Sequence, residues 1–396
     1  MRLESNMDLI NEIQKEKKGL LKLRREFHII PEIGFKEFKT SELILNEINS
    51  YGLKIKKNIA GTGISATLEG QKKGKTIMVR VDMDALPIIE KNEIDHISKH
   101  DGVMHACGHD GHMAIAIIVA KILSRNKEII KGNVKFVFQP AEEGPGGARS
   151  MIEEGVLKDP KVDALLGLHI WNYLPVGKIG IRVGPLMASV NLFKLKIIGK
   201  DSHGAIPQDG VDAIVIASSV INALQTIISR EISPFEPCVI TIGKIKGGDA
   251  YNIIAQNVEI EGTVRAMNEK LNKEIPKKID RIVKDITNAF RADYRLDYRF
   301  LYPITVNEKN MCKTVSDSAR KMLGKENVVE ADQTMGGEDI SYFLNKIPGC
   351  YFFLGSRNNR KNLNKPHHNQ YFDFDEDCMT IGVKVLIKSI IHYLNN

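Results

Sequence analysis

In "GVMHACGHDGHMAIA" (102–116), three histidines, a cysteine and an aspartate fall within eight positions, just ahead of an apolar stretch. His105, Cys107, His109 and His112 supply imidazole nitrogens and a thiol. Such residues serve a metal corner, a cysteine nucleophile with its base, or a helix cap built on Asp110. Further donors follow strand-like runs elsewhere. Asp82 and Asp84 come after "IMVR", Glu142 and Glu143 after "KFVFQP", His169 closes "ALLGLH", and His367 and His368 follow "FFLGSR" by ten residues. Open α/β sheets gather their sites at the carboxyl ends of strands, where the loops converge. Taken singly, His169 reads as a core histidine and the glutamate pair as solvated loop. Together they would crowd one sheet edge with carboxylates, imidazoles and a thiol that have no binding partner. A Cys/His nucleophile leaves most of these donors unused, whereas a metal site uses them all. The thiol favours zinc over magnesium or calcium, and donors from several distant segments favour two cations over one.

The elements that must position these groups can be read from periodicity. "KTIMVRVDMDALP" (75–87), "GNVKFVFQPAEEG" (132–144), "VDALLGLHIW" (162–171) and "CYFFLGSR" (350–357) each contain a buried-strand run. Helical patterns occupy 112–126 and about 379–394. This alternation predicts an α/β fold with a mixed or parallel sheet covered by helices. The middle of the chain differs. Strand patterns at 191–200, 238–248, 258–266 and 294–300, with helical stretches 211–229 and 271–291 between them, predict an inserted α+β domain. The expected division is a catalytic domain of 1–186 and 306–396 interrupted by a smaller domain of 187–305.

Composition narrows the setting. Of 396 residues, 43% are hydrophobic and 27% charged, as in ordinary globular proteins. The net charge of +7 is spread along the chain. Its densest run, Lys15 to Arg25, interleaves Leu20, Leu21 and Leu23 and reads as a solvated helix face, so no nucleic-acid partner is expected. No apolar run approaches the roughly 20 residues that span a bilayer, and no membrane association is expected. The first 25 residues lack the apolar stretch of a secretory signal. Five scattered cysteines suit reduced thiols rather than a disulfide framework. A cytoplasmic location is expected.

The motifs "LRREFHIIPEIGFKEF", "RVDMDALPI", "GVMHACGHDGHMA", "FVFQPAEEGPGGARSMIEEGV", "GLHIW", "GKDSHGAIPQDGVDAI", "NVEIEGTVRA", "GGEDISYF" and "HHNQYFDFDED" occur in this order across nearly the whole chain. In that order they resemble the M20 metallopeptidase family, in its amidohydrolase/aminoacylase branch. That branch includes hippurate hydrolases, N-acetyldiaminopimelate deacetylases, auxin-conjugate hydrolases and carboxypeptidases. The resemblance implies a dinuclear-metal domain interrupted by a lid domain through which two copies form a homodimer. By motif position it implies Cys107, His109, Glu143, His169 and His368 as metal ligands, with Cys107 bridging and zinc favoured over manganese, cobalt or nickel. Glu142 would be the general base and acid for attack by a metal-activated water. His203 would assist from the lid, and Asn252 and Arg265 would bind a substrate carboxylate. Where other branches carry a His-x-Asp ligand motif, this chain has Arg80-Val81-Asp82, which leaves Asp82 an orienting role. Gln208, and "YNIIAQN" without its usual proline, are local departures around the substrate pocket. The implied reaction is hydrolysis of an N-acyl-L-amino acid. Cleavage of short peptides by a carboxypeptidase, or deacetylation of N-acetyldiaminopimelate, would use the same centre.

Overall fold

Apolar runs ending in polar residues become the parallel heart of an eight-stranded mixed sheet in the computed structural model, which describes residues 2–144 and 146–396. Met1 and Pro145, the latter inside the double-glutamate motif, lie outside the described residues. Strands β1 (Lys54–Ile59) and β2 (Gly63–Glu69) form an antiparallel edge. β3 (Lys72–Asp82), β4 (Lys131–Gln139), β5 (Ala164–Pro175) and the strand Gly349–Arg357 run parallel in the order β4, β3, β5, Gly349–Arg357. Short strands Ile179–Ile181 and Val328–Glu330 close the other edge. The central strands are buried on both faces, as parallel strands covered by helices must be.

Three helices lead into this sheet: α1 (Arg2–Ile29), α2 (Phe38–Ile48) and α3 (His109–Arg125). α3 is buried almost all round, from His109 to Leu123. The motif that precedes it explains its glycines. Gly108 has φ +88° at the helix start, a left-handed conformation that suits glycine. A Cβ on Gly111 would stand 2.4 Å from Ile170 and 2.8 Å from Phe374, so glycine lets the helix approach β5. Asp110, a candidate helix cap from sequence, accepts the Gly111 amide of the first turn through Oδ1 at 2.9 Å and turns Oδ2 to Arg24 and His28.

The chain divides into two compact units, and the second starts two residues earlier than expected and takes in one further segment. The second unit comprises Pro185–Thr305 together with Gln333–Ser341, a segment expected to belong to the first. The physical reason is backbone pairing. The amide of Ala188 donates to Thr334 O and Gly336 O, and that of Thr334 donates to Leu186 O. Within this unit a four-stranded antiparallel sheet, in the order Cys238–Gly247, Asn257–Ala266, Val190–Ile198, Asp293–Tyr302, packs helices Ala213–Thr226 and Glu269–Ala289 on one face. Lys194, Lys196, Glu259 and Glu261 pair across the other face.

One expectation from sequence needs correction. The helix and its continuation, Ala213–Glu231, are long and apolar enough by composition to cross a membrane, contrary to the reading that no run comes close. Ile216, Val220 and Leu224 on one side of this helix are buried in the core of the second unit, and Asp212 caps its first turn. Trp171 follows His169 on the interior strand β5, and its ring stacks on Phe353 of the neighbouring strand, 4.1 Å between centroids.

Arg24 of α1 is fully buried and ties three segments together. It contacts Asp110 at 2.9 Å, Asp373 at 2.7 Å and Glu376 at 3.3 Å, with His96 Nε2 at 2.7 Å. Removing one partner of a buried ion pair leaves the others without compensation. Arg24→Met is expected to destabilise the first unit by about 3–5 kcal/mol, read as a lower urea midpoint.

Candidate metal centre

β3 and β4 end side by side, with Asp82 paired to Gln139, and the loops beyond them carry Asp84 and the Glu142–Glu143 pair. Phe353 pairs with His169 on the other flank. His169 is therefore inside β5, which continues to Pro175, rather than at a strand end as the sequence suggested. The turn before α3 delivers Cys107 and His109 to the same place, and the loop after Gly349–Arg357 brings His367 and His368.

The donor atoms converge. Those of Cys107, His109 and His169 lie within 4.8 Å of one another, as do those of Cys107, Glu143 and His368, so the sulfur belongs to both groups. His109, Glu142 and Glu143 form a third such group. Cys107 Sγ is 3.5 Å from His169 Nε2, and Glu143 Oε1 is 3.1 Å from His368 Nε2 and 3.8 Å from His109 Nε2.

Hydrogen bonds at the far side of each ring fix which nitrogen faces the cluster. His109 Nδ1 donates to Asp84 O at 2.9 Å, leaving Nε2 buried with no hydrogen-bond partner. His169 Nδ1 donates to Ile170 O at 2.6 Å, leaving its Nε2 toward the sulfur. His112 differs, because both nitrogens are used. Its Nε2 accepts from the Ile170 amide at 2.8 Å, and its Nδ1 donates to Asp82 Oδ1 at 2.6 Å. Asp82 is held from the other side by Arg80 at 2.8 Å. His105 is buried with neither nitrogen partnered.

The electrostatics favour positive charge here. Burial disfavours protonation of His109, yet Asp82, Asp84 and Glu143 outweigh it and push its pKa up to about 10. Burial, with Glu143 and Glu142 nearby, pushes the Cys107 thiol well above its usual range. Burial also holds His169 well below the usual histidine value, leaving it neutral. A buried thiol among carboxylates, with an orphaned imidazole nitrogen aimed at them, is the chemistry of a cation site. Such residues would suit two metal ions, to which they would offer thiol, imidazole and carboxylate donors.

Two groups position the ligands in ways the sequence did not indicate, one a donor already noted and the other not. Asp84 accepts the Glu143 amide through Oδ2 at 3.0 Å while its carbonyl holds His109. Glu37, in "PEIGFKEF", accepts the amide of Ala141 at 2.9 Å and the hydroxyl of Thr62 at 2.6 Å. Ala141 has φ +55°, a conformation disfavoured for alanine, immediately before Glu142. Burial and the Asp84 carboxylate raise the Glu37 pKa to about 7, although its hydrogen bonds oppose this.

In the second unit, His203 and Asn252 are brought together. His203 pairs with Ile253 in a short antiparallel ladder, and the Gly204 amide donates to Asn252 O at 2.7 Å. His203 is exposed, and its Nδ1 accepts the Ala205 amide at 3.1 Å, which leaves Nε2 to carry the proton in the neutral ring. Arg265 lies apart from them on Asn257–Ala266, opposite Val239, and is half-buried.

A helix-covered mixed sheet whose strand ends gather thiol, imidazole and carboxylate donors defines a metal-dependent hydrolase. The chain belongs to peptidase family M20/M25/M40, whose model matches residues 78–392. It is 38% identical over 385 residues to thermostable carboxypeptidase 2 of Saccharolobus solfataricus, covering 95% of this chain and 96% of the relative. It is 36% identical over 393 residues to N-acetyl-L-cysteine deacetylase of Bacillus subtilis, covering 99% and 92%. A solved Bacillus subtilis structure, described as a dinuclear metal binding peptidase of the M20 family, superposes with a TM-score of 0.85 at 33% identity, covering 96% and 99%.

Glu37→Ala would strip the buried Ala141 amide of its acceptor and release the strained turn, at a cost of about 1–3 kcal/mol. Turnover is expected to fall while metal content, measured by elemental analysis, stays at the wild-type level. Loss of metal together with turnover would contradict a role confined to the Ala141–Glu142 turn.

Proposed function

We propose that the protein hydrolyses the amide bond of N-acyl-L-amino acids, releasing a carboxylic acid and the amino acid. The observation that carries this reading is the junction at Glu142 and Glu143. Glu143 is engaged with His368, and the adjacent Glu142 brings a second carboxylate within 4.8 Å of Glu143 and His109. Two neighbouring glutamates thereby take different jobs.

In this reading Cys107, His109, Glu143, His169 and His368 hold two divalent cations, zinc being the best match to thiol, imidazole and carboxylate together. Bound there, the cations supply Lewis acidity that polarises the substrate carbonyl and eases ionisation of water. Glu142, buried beside the cluster, takes the proton of the attacking water and delivers it to the departing amine nitrogen. Asp82 keeps His112 in place, and through it the Ile170 amide within β5. His203 Nε2–H is suited to donate to the oxyanion that develops on the carbonyl. Asn252 and Arg265 would hold the free carboxylate of the substrate. A homodimer through the second unit would let His203 serve the partner's site. Five scattered cysteines without a disulfide framework belong with a cytoplasmic enzyme in this reading.

The name of the Saccharolobus relative favours one second reading, a carboxypeptidase using the same centre on short peptides. A panel of N-acetyl, N-benzoyl and dipeptide substrates separates the two. Preference for acyl amino acids by at least tenfold in kcat/KM, about 1.4 kcal/mol, is the expected result, and the reverse order would install the peptidase reading.

Glu142→Gln is expected to retain both metals and lose about 10²- to 10⁴-fold in turnover. Near-normal turnover at full metal content would remove Glu142 from the mechanism. His203→Ala should cut turnover with metal content unchanged, and mixing it with Glu142→Gln tests action across a dimer, since hybrid dimers would regain activity.

A further inference from the structure

His367 was set aside in favour of its neighbour in the sequence reading, yet its ring lies against the sulfur of the cluster. Its Nδ1 is 3.8 Å from Cys107 Sγ, a hydrogen-bond distance for sulfur. Its Nε2 is 3.3 Å from the amide nitrogen of Asn172. A backbone amide only donates, so Nε2 must accept. A neutral imidazole with Nε2 accepting carries its proton on Nδ1. That proton points at the sulfur.

The packing leaves the ring little freedom to turn. It stacks on Trp171 at 5.0 Å and 29°, lies 4.9 Å from Phe372, and meets His169 edge-on at 5.1 Å. Asn172 is itself anchored: its side-chain amide donates to Lys365 O at 3.0 Å and Asp373 O at 2.8 Å, and Ser356 donates to its carbonyl at 2.6 Å. These bonds clamp both ends of the loop that carries His367. The His368 amide, donating to Ala106 O at 2.8 Å, fastens that loop next to Cys107.

We infer that His367 is a positioning residue for the shared sulfur, its Nδ1–H donating to Cys107 Sγ while the Asn172 amide holds the ring in that tautomer. The inference rests on the two-cation reading of the site. A donor at this place does two things. It stabilises negative charge on a buried sulfur, and it fixes the direction of the sulfur lone pairs left for the cations. In this tautomer neither nitrogen of His367 has a free lone pair, so the ring supports the ligand without being one.

The test uses the full-length protein stripped by a chelator and titrated with Co²⁺ alone. The sulfur-to-cobalt charge-transfer absorption in the near ultraviolet and the binding isotherm are both recorded. His367→Phe keeps a flat ring for stacking and removes the N–H. His367→Asn places an amide N–H at the same distance along the side chain as Nδ1. In His367→Phe the absorption is expected to move to lower energy, because the sulfur electrons are no longer held by a proton. Affinity should fall about 10- to 100-fold, the usual effect of losing a partner of a metal ligand, with two Co²⁺ still bound at saturation. His367→Asn should restore the band position and most of the affinity. An unchanged band and affinity in His367→Phe overturns the inference, as does His367→Asn behaving like His367→Phe. Loss of one Co²⁺ at saturation also overturns it, because His367 would then be a ligand. A wild-type protein that binds Co²⁺ without any sulfur-to-cobalt band would instead overturn the two-cation reading itself.

Discussion

Carboxylates, imidazoles and a thiol withdrawn from water at one end of a sheet must each be compensated by opposite charge, by a proton, or by a hydrogen bond. The fold is arranged around that requirement. Asp82 has Arg80 on one oxygen and His112 on the other, and His112 is in turn fixed by the Ile170 amide. Asp110 has Arg24 and His28. Among the buried atoms without a hydrogen-bond partner is His109 Nε2, which lies with Cys107, His169 and Glu143 in the cluster. A buried polar atom left unsatisfied in a well-packed protein calls for an explanation, and a cation held there would be one.

Strand register supplies the precision. With Asp82 opposite Gln139 and His169 opposite Phe353, each loop leaves the sheet at a fixed height, and the donors arrive within ångströms of one another. Residues far from the cluster in sequence complete it. Glu37 holds the strained turn at Ala141, and Asp84 links the Glu143 backbone to the His109 ring. Arg24 draws α1, the start of α3 and the segment around Asp373 into one ionic network, so the entrance to α3 cannot shift alone.

Each histidine of this region acquires its character from its second nitrogen. His109 and His169 donate Nδ1–H to carbonyl oxygens and turn Nε2 inward, whereas His112 spends both nitrogens on the protein. Residue type is the same in all three. The difference lies in which backbone group faces the ring, which is a property of packing.

Sequence alone carried the alternation of strand and helix, the insertion of a second unit, the family, and the cluster of donors, because side-chain periodicity and short motifs are local. It did not carry the grouping of Gln333–Ser341 with the second unit, which depends on amide pairing to Leu186 and Ala188. Nor did it reveal the extension of β5 beyond His169, since strand length there is set by pairing with Gly349–Arg357. Glu37 acts on a residue 104 positions away, and His367 on one 260 positions away. Contacts of that span leave no periodic trace in a single chain. Only the folded sheet, by setting distances between remote loops, decided which imidazoles face the sulfur and which hold the frame.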